Sequence, residues 1–502
     1  MTTSLSPTQT LECIANHDFA TLINTQVDQP PSTMLPGPAL SFTIPSIYDD
    51  ATLECRIYHP QSLAANPRAP PWRKHAAVVA HPYAPLGGSY DDAVVETVSA
   101  TLLRQGFLVG TFNFRGAGNS AGRTSWTARA ERGDYMSFVG FVLNYVHYLD
   151  PFRPRPGSPT DLPSPSAAAT ATATASSPPL PVLKGAAQSR APDAPVFLQC
   201  GYSYGAMITT LLPPLSEIAE QFTAPKTASA AADIRLRAQH LAEQQNIILG
   251  DARAAMLHPN SPVSSHRKAA FGIRVGGDED KRRSHDLGSR RRSFTMDAEE
   301  RIRAGVAELK RKTRIRQVQL RRRVNSASRG RDTHVVAREG DVQEVKEDKE
   351  PDTLLPVAGL VLPRAAYLLV SPPIGWATNL MTLDLASPMS SLLGRLPRPV
   401  VRGRDRTRDE AAPPAETKAE RQKLVENPTI AVYGDSDVFV GVKKFREWAA
   451  RLQSAPGSRF RAHEISTAGH FYAEEGTAQR LADAVRAFSG EFLVSSAQDD
   501  DA

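Results

Sequence analysis

Hydrophobic and polar positions alternate in the first part of this chain and later give way to continuous apolar runs. Residues 41–47 and 51–58 alternate, as an exposed antiparallel pair of strands would. The later runs are short and typical of buried parallel strands; they cover residues 76–80, 107–112, 196–200, 366–370 and 429–433, with a more polar run at 459–465. Helical patterns lie at residues 91–104, 134–148, 204–212, 440–452 and 477–493. This order predicts an α/β fold with a doubly wound, mainly parallel sheet.

The predicted topology sorts the loops into two groups. In a doubly wound sheet every strand-to-helix loop emerges at the carboxyl edge, where ligands bind. Loops 81–88 and 115–122, together with Ser203, Asp437 and His470, follow strands and share this edge. Of the long polar segments, only residues 371–427 follow a strand, so they are the candidate lid or specificity segment.

Composition separates the predicted core from the segments inserted into it. The chain has 40 Pro, and aromatic residues make up 7%, which indicates that much of it is not packed core. The predicted organisation is an N-terminal tail (1–40), the first part of the α/β core (41–150), a disordered Pro/Ala/Ser/Thr-rich insert (151–194), a strand–turn–helix unit (195–224), a basic low-complexity insert (225–352), a core strand with a candidate lid (353–398), a charged insert (399–425) and the C-terminal part of the core (426–497). Replacing residues 225–352 with a short linker is expected to leave the fold intact.

The net charge of +6 comes from one segment. Residues 261–330 hold 20 Lys or Arg against 8 Asp or Glu, so the sequence pI near 9.2 says nothing about what the core binds. The three cysteines are far apart and odd in number, which argues against a disulfide framework and favours a reducing compartment. Since the N-terminus does not resemble a signal peptide and no apolar run is long enough to span a bilayer, a cytoplasmic location is predicted.

Ser203 lies between Gly201 and Gly205, and this spacing is typical of a nucleophile on a sharp strand-to-helix turn. The flanking sequence fits such a turn, because residues 195–200 are mostly apolar and residues 204–212 suit a helix that two prolines end. The alternative is a small residue in an ordinary tight turn. A serine hydroxyl also needs a base, itself oriented by a carboxylate.

His470 and Asp437 supply these partners in the predicted scheme. Each directly follows a predicted strand, and the chain order Ser, Asp, His is the one used by α/β-hydrolases. Asp435 is the alternative acid, and His470 could instead cap the final helix. Two backbone N–H groups are also needed to stabilise an oxyanion. Tyr204 is the candidate for the first, and Tyr83 for the second, since Pro82 has no N–H.

The glycines of residues 112–122 are open to two interpretations, a dinucleotide-binding loop or a structural turn beneath the site. The second is favoured, because no matching helix start follows them.

Taken together, the motifs His-Pro with Gly87-Gly88, residues 112–120, Gly-Tyr-Ser-Tyr-Gly205, Gly-Asp-Ser-Asp437 and Ala-Gly-His-Phe471 resemble the α/β-hydrolase superfamily. The closest likeness is to small serine hydrolases near the dienelactone-hydrolase-like and prolyl-peptidase-like branches. This resemblance implies a Ser203, Asp437 and His470 triad with no metal or cofactor. The chain departs from these proteins in having Tyr83-Ala84 where a second histidine is usual, and in its long inserts. Dienelactone hydrolases proper use a cysteine nucleophile, so we do not expect this chain to share their substrate.

Two functions of different classes follow from the sequence. The first is hydrolysis of a small-molecule carboxylic ester, or of an amide or thioester, through an acyl-enzyme intermediate. The second is a non-catalytic scaffold whose basic residues 261–330 bind an acidic membrane, nucleic acid or a protein partner. Residues 298–324 could form a basic helix with Ile302, Val306 and Leu309 on one face, although a solvated charge run is the simpler interpretation. The sequence makes no prediction about oligomeric state.

Overall fold

The structure is a computed structural model that describes residues 35–125, 127–152, 194–257, 352–373 and 418–493, together with residues 300, 302, 304–309 and 311. Its strands are β1 (Leu40–Pro45), β2 (Thr52–Tyr58), β3 (Ala76–Ala80), β4 (Leu108–Phe112), β5 (Val196–Tyr202), β6 (Arg364–Val370), β7 (Thr429–Gly434) and β8 (Phe460–Ile465). Its helices are α1 (Ala93–Arg104), α2 (Arg129–Tyr148), α3 (Tyr204–Leu211), α4 (Leu215–Gln221), α5 (Ala230–Leu257), α6 (Lys418–Glu426), α7 (Val442–Gln453) and α8 (Thr477–Gly490).

The strands form one sheet in the order β1-β2-β4-β3-β5-β6-β7-β8. Strand β2 pairs antiparallel with both β1 and β4, and all pairs from β4 to β8 are parallel. The prediction of a doubly wound, mainly parallel sheet after an initial hairpin is therefore confirmed. This strand order is that of the α/β-hydrolase fold, so the predicted resemblance is confirmed at the level of the fold.

Apolar residues cover both faces of the sheet, which explains why the parallel strands are apolar throughout. Along β3, Val78 contributes to the core layer on one face and Val79 to the layer on the other. Helices α2, α3, α4, α5 and α7 pack into the first layer, while α1 and α8 pack into the second. The sheet is thus enclosed on both sides, and its carboxyl edge is left as the place for a site.

Helix α5 corrects the prediction that residues 225–352 lie outside the core. Its buried apolar residues join the same core layer as α2; they are Ala232, Ile234, Leu236, Ala238, Leu241 and Ala242. Two arginines of α5 bind backbone carbonyls of other segments, since Arg237 Nη1 donates to Thr43 O at 3.1 Å and Arg235 Nη2 donates to Leu355 O at 2.6 Å. The charged residues interrupt the apolar pattern in the sequence but serve the packing in the fold.

The apolar face of residues 302–309 is also buried. Ile302, Val306 and Leu309 belong to the core layer that contains α5. Gly305 lies so close to the His240 ring of α5 that a Cβ atom at this position would clash. This face therefore packs inside the protein and is not free to lie on a membrane or a partner.

Several predictions concern residues that the structure does not describe. These residues are the N-terminal tail as far as residue 34, the insert at 153–193, most of the basic segment, and residues 374–417 of the candidate lid and charged insert. The end of the charged insert belongs to α6, whose Leu424 is buried in the core. Within the described ranges, no helix combines the length and the apolar character needed to cross a bilayer.

Candidate active site

Ser203 lies at a sharp turn between β5 and α3. Its backbone has φ 53° and ψ −118°, a conformation that L-residues rarely adopt and that is held only by its surroundings. The Ser203 N–H donates to Val370 O at 2.8 Å, which ties the turn to the end of β6. The strand, the strained turn and the helix are the local structure expected of a nucleophile at the carboxyl edge of the sheet.

The two glycines beside Ser203 are required by close backbone contacts. A Cβ atom on Gly201 would lie 2.3 Å from the carbonyl carbon of Gly205. A Cβ atom on Gly205 would lie 2.5 Å from Ala80 O and 2.6 Å from His81 O. Only glycine at both positions lets α3 start this close to β5 and to the end of β3.

A hydrogen-bonded relay connects Ser203 with two buried side chains on neighbouring loops. His470 Nε2 lies 2.8 Å from Ser203 Oγ, and His470 Nδ1 lies 2.8 Å from Asp437 Oδ2 and 3.0 Å from its Oδ1. The side chains of His470 and Asp437 are 5% and 0% exposed. With a carboxylate on Nδ1–H, the Nε2 atom is left to accept the serine proton.

Asp437 and Asp435 have different partners. Asp437 Oδ1 also accepts from the N–H groups of Phe439 at 2.9 Å and Val440 at 3.0 Å, so the turn after β7 fixes the carboxylate. Asp435 Oδ1 accepts from the Thr467 N–H at 2.7 Å, on the loop that leads to His470. The structure thus brings Asp437 to the imidazole and leaves the alternative acid, Asp435, bonded to the backbone.

Two tyrosines that the sequence did not single out hold the loop of His470. Tyr202 OH donates to His470 O at 2.9 Å. The hydroxyls of Tyr472 and Ser371 lie 3.0 Å apart, at the end of β6. Tyr202 lies inside the motif Gly-Tyr-Ser-Tyr-Gly205 and Tyr472 directly follows Ala-Gly-His-Phe471, but nothing in either motif shows where the phenol points.

The candidate oxyanion residues lie side by side. Tyr204 is the first residue of α3, where N–H groups have no intrahelical partner and the helix dipole is positive. The ring centroids of Tyr83 and Tyr204 are 5.1 Å apart. Since Gly205 also lies against the carbonyls of Ala80 and His81, the loop after β3 and the start of α3 form one wall beside Ser203.

His81 connects this loop to the one after β4. Its Nδ1–H donates to Pro82 O at 2.6 Å, and its Nε2 accepts from the Phe114 N–H at 2.8 Å. The side chain is 0% exposed. Burial lowers the pKa of His81 to about 4, so the imidazole is neutral and both its nitrogens are engaged.

Lys423 of α6 binds the C-terminal end of α3, the helix that follows Ser203. Its buried Nζ donates to Thr209 O at 2.8 Å, to Thr210 O at 3.0 Å and to Leu212 O. A cation at this end satisfies carbonyls that the helix leaves unpaired and complements its dipole. The sequence does not indicate this role, because Lys423 lies in the predicted charged insert.

The glycine-containing loop after β4 is held by bonds within the protein. Glu54 accepts from the Asn119 N–H at 2.8 Å and from Asn113 Nδ2 at 3.1 Å. Arg115 lies in a buried pair with Asp134, with Nη2 2.7 Å from Oδ1 and Nε 2.9 Å from Oδ2. These contacts favour the structural-turn interpretation. In the described part of the chain, His, Cys, Asp and Glu form no cluster of three that could hold a metal ion.

Comparison with known proteins finds likeness in solved structures alone. No family model matches the sequence, and no curated protein matches it. An α/β serine hydrolase homologue from Coxiella burnetii is 12% identical to this chain. The match covers 90% of this chain and 98% of the homologue, with a TM-score of 0.36. An α/β serine hydrolase without a lid from Xanthomonas campestris has 12% identity, with 91% and 95% covered and a TM-score of 0.34. An esterase from Pyrococcus furiosus has 11% identity, with 93% and 94% covered and a TM-score of 0.35. At these low values the likenesses carry no argument about the site.

Proposed function

We propose that this protein is a serine hydrolase that cleaves a carboxylic ester through an acyl-enzyme intermediate on Ser203. The observation that carries the proposal is the relay of 2.8 Å contacts from Ser203 Oγ through His470 to Asp437. All three side chains are buried and lie at the carboxyl edge of the sheet. Such a relay supplies the nucleophile, the base and the orienting carboxylate of acyl transfer.

In the first half of the reaction, Ser203 Oγ forms a bond to the ester carbonyl carbon while its proton passes to His470 Nε2. Asp437 stabilises the imidazolium that results. The carbonyl oxygen becomes negative, and the backbone N–H groups of Tyr204 and Tyr83 are the proposed donors to it. The positive end of α3 favours this charge.

The tetrahedral intermediate then collapses. The bond from the carbonyl carbon to the alcohol oxygen breaks, and His470 Nε2 gives its proton to that oxygen. In the second half, His470 Nε2 accepts a proton from water, whose oxygen bonds to the acyl carbon. The bond from that carbon to Ser203 Oγ then breaks, and His470 gives its proton to Oγ, which releases the acid and restores Ser203. An ester is proposed ahead of an amide because an alkoxide is the better leaving group.

The alternative, a non-catalytic scaffold with a basic binding segment, gains no support from the described residues. A scaffold has no need of a strained serine beside a buried imidazole, and the apolar face at residues 302–309 is packed in the core.

A fluorophosphonate probe and a small ester test the proposal. Wild-type protein should be labelled at Ser203, and Ser203→Ala should lose labelling and about four to six orders of magnitude of turnover. Ser99→Ala is the matched control, because the Ser99 hydroxyl is buried like that of Ser203 but has no hydrogen-bond partner. This variant should keep both labelling and turnover. A folded Ser203→Ala protein that keeps half the wild-type rate would show that the mechanism is wrong.

A further inference from the structure

Two phenylalanine rings pack against His470, and an exposed valine precedes one of them in the chain. The ring centroid of Phe439 lies 4.8 Å from that of His470, and the centroid of Phe471 lies 5.4 Å from His470 and 5.9 Å from Phe439. Phe471 is 64% exposed and Val438, beside Phe439 in the chain, is 86% exposed. We refer to Val438, Phe439 and Phe471 as the apolar rim. Contiguous exposed apolar side chains beside a reactive group indicate a binding surface, whereas single ones need no explanation.

The apolar rim is positioned by the turns of the candidate triad itself. The Phe439 N–H donates to Asp437 Oδ1 at 2.9 Å, so the carboxylate that contacts His470 also folds the turn that carries Phe439. Phe471 directly follows His470, whose carbonyl is held by Tyr202 OH at 2.9 Å. The rim and the imidazole therefore keep a fixed relation, as a specificity site requires.

The chemistry of acyl transfer decides which part of a substrate meets the apolar rim. The leaving oxygen must come within hydrogen-bond reach of His470 Nε2 to take its proton. The carbonyl oxygen is directed instead to the proposed oxyanion donors, the backbone N–H groups of Tyr204 and Tyr83. The group attached to the leaving oxygen is therefore the one that passes the side chains packed around His470.

Two carboxylates on the same two turns are bonded to backbone N–H groups. Asp435 accepts from the Thr467 N–H at 2.7 Å, and Glu474 accepts from the Gly469 N–H at 3.0 Å. Both are carboxylates, which disfavour an anionic leaving group, and both are already bonded. The rings of Phe439 and Phe471, which pack against His470, offer hydrocarbon to a neutral leaving group.

We propose that the apolar rim is the leaving-group site and that the substrates are esters of apolar alcohols. This inference rests on the proposed function and adds the side of the substrate on which selectivity is expressed.

Two ester series measured on the full-length protein test the inference. In the first, acetates of methanol, butanol and hexanol share one acyl group, so kcat/KM reports the alcohol side alone. Burying a methylene fully changes affinity about fourfold, and a rim that covers one side of the chain should give about twofold per methylene in kcat/KM. In the second series, methyl esters of lengthening acids report the acyl side.

Phe471→Ser and Val438→Ser should each flatten the dependence on alcohol length and leave the dependence on acyl length as in the wild type. Val361→Ser is the matched control, since Val361 is also 64% exposed and precedes β6 at the opposite edge of the sheet. It should keep both dependences.

The failures of the two proposals are distinguishable. If a fluorophosphonate does not label Ser203, the proposed function is wrong. If Ser203 is labelled and esters are cleaved, but alcohol length has no effect or its effect survives both rim substitutions, the leaving-group site is elsewhere. A loss of acyl-length dependence in Phe471→Ser would also overturn the inference, because the rim would then hold the acyl chain.

Discussion

Acid should destabilise this protein through His81, whose burial between two loops the His-Pro motif does not predict. The imidazole is 0% exposed, donates to Pro82 O and accepts from the Phe114 N–H. Protonation would place a second N–H against the Phe114 N–H and leave a charge buried. Burial accordingly lowers the pKa of His81 in the folded protein to about 4, against an ordinary value of 6.5.

The sign and size of the effect follow from proton linkage. Below pH 6.5 the unfolded chain binds a proton at His81 and the folded protein does not, so stability falls as pH falls and levels off near pH 4. Between these two pKa values, each pH unit changes the free energy of unfolding by about 1.4 kcal/mol. The loss is therefore about 2 kcal/mol at pH 5 and about 3 kcal/mol at pH 4, a large share of the roughly 5–15 kcal/mol that stabilises a typical domain.

Urea unfolding at pH 7.5 and pH 5, followed by tryptophan fluorescence, measures this loss. In His81→Gln the amide oxygen can still accept from the Phe114 N–H but does not titrate, so the variant should lose about 2 kcal/mol less than the wild type. The matched control is His463→Gln, since His463 is exposed on β8, and its loss should equal that of the wild type. His75, whose pKa burial also lowers to about 4, contributes to all three proteins and cancels. Equal losses in wild type and His81→Gln would refute the reasoning.

Two further predictions concern the acid and the inserted segment. Asp437→Asn should lower kcat about 10⁴-fold because the amide no longer stabilises the imidazolium. Asp435→Asn should lower kcat far less, since the Asp435 carboxylate bonds to the Thr467 backbone. Steady-state ester kinetics measure both effects, and a larger loss of kcat in Asp435→Asn would make Asp435 the acid. Replacing residues 258–299 with a short linker should change the free energy of unfolding by roughly 1 kcal/mol. Replacing residues 225–352 should instead unfold the protein, because this deletion removes α5, and each of its large buried side chains contributes about 1.5–3 kcal/mol. Thermal melts by circular dichroism distinguish these outcomes, and a cooperative melt near the wild-type temperature for the larger deletion would contradict the role given to α5.

The parallel strands were predictable because burial on both faces makes their sequences apolar throughout. The bounds agree within about two residues for β3, β5 and β7. Helix α5 was missed because its apolar positions are interrupted by Arg235 and Arg237, whose guanidinium groups bind carbonyls of distant segments. Charge in a sequence predicts solvation, and only the fold shows that these two arginines have protein partners.

The Ser203, Asp437 and His470 arrangement was predictable because each residue follows a strand and parallel strands bring their carboxyl ends to one edge. The residues that support it were not predictable. Lys423 bonds to carbonyls more than 200 positions away, and His81 bonds to a loop on the next strand. Such contacts depend on side-chain direction in three dimensions, which neither spacing nor composition encodes.

The tie between Ser203 and β6 has a consequence for how the chain reaches its native state. Strands β5 and β6 are neighbours in the sheet, yet residues 203–363, about 160 residues, separate them in sequence. For an unfolded chain, closing a loop of this length costs roughly 2 kcal/mol more than closing an ordinary crossover of about 15 residues. Pairings of such high contact order form slowly. Because the Ser203 N–H donates to Val370 O, the turn at Ser203 is completed when β6 docks, so a partly folded chain that has assembled β1 to β5 would still lack this hydrogen bond.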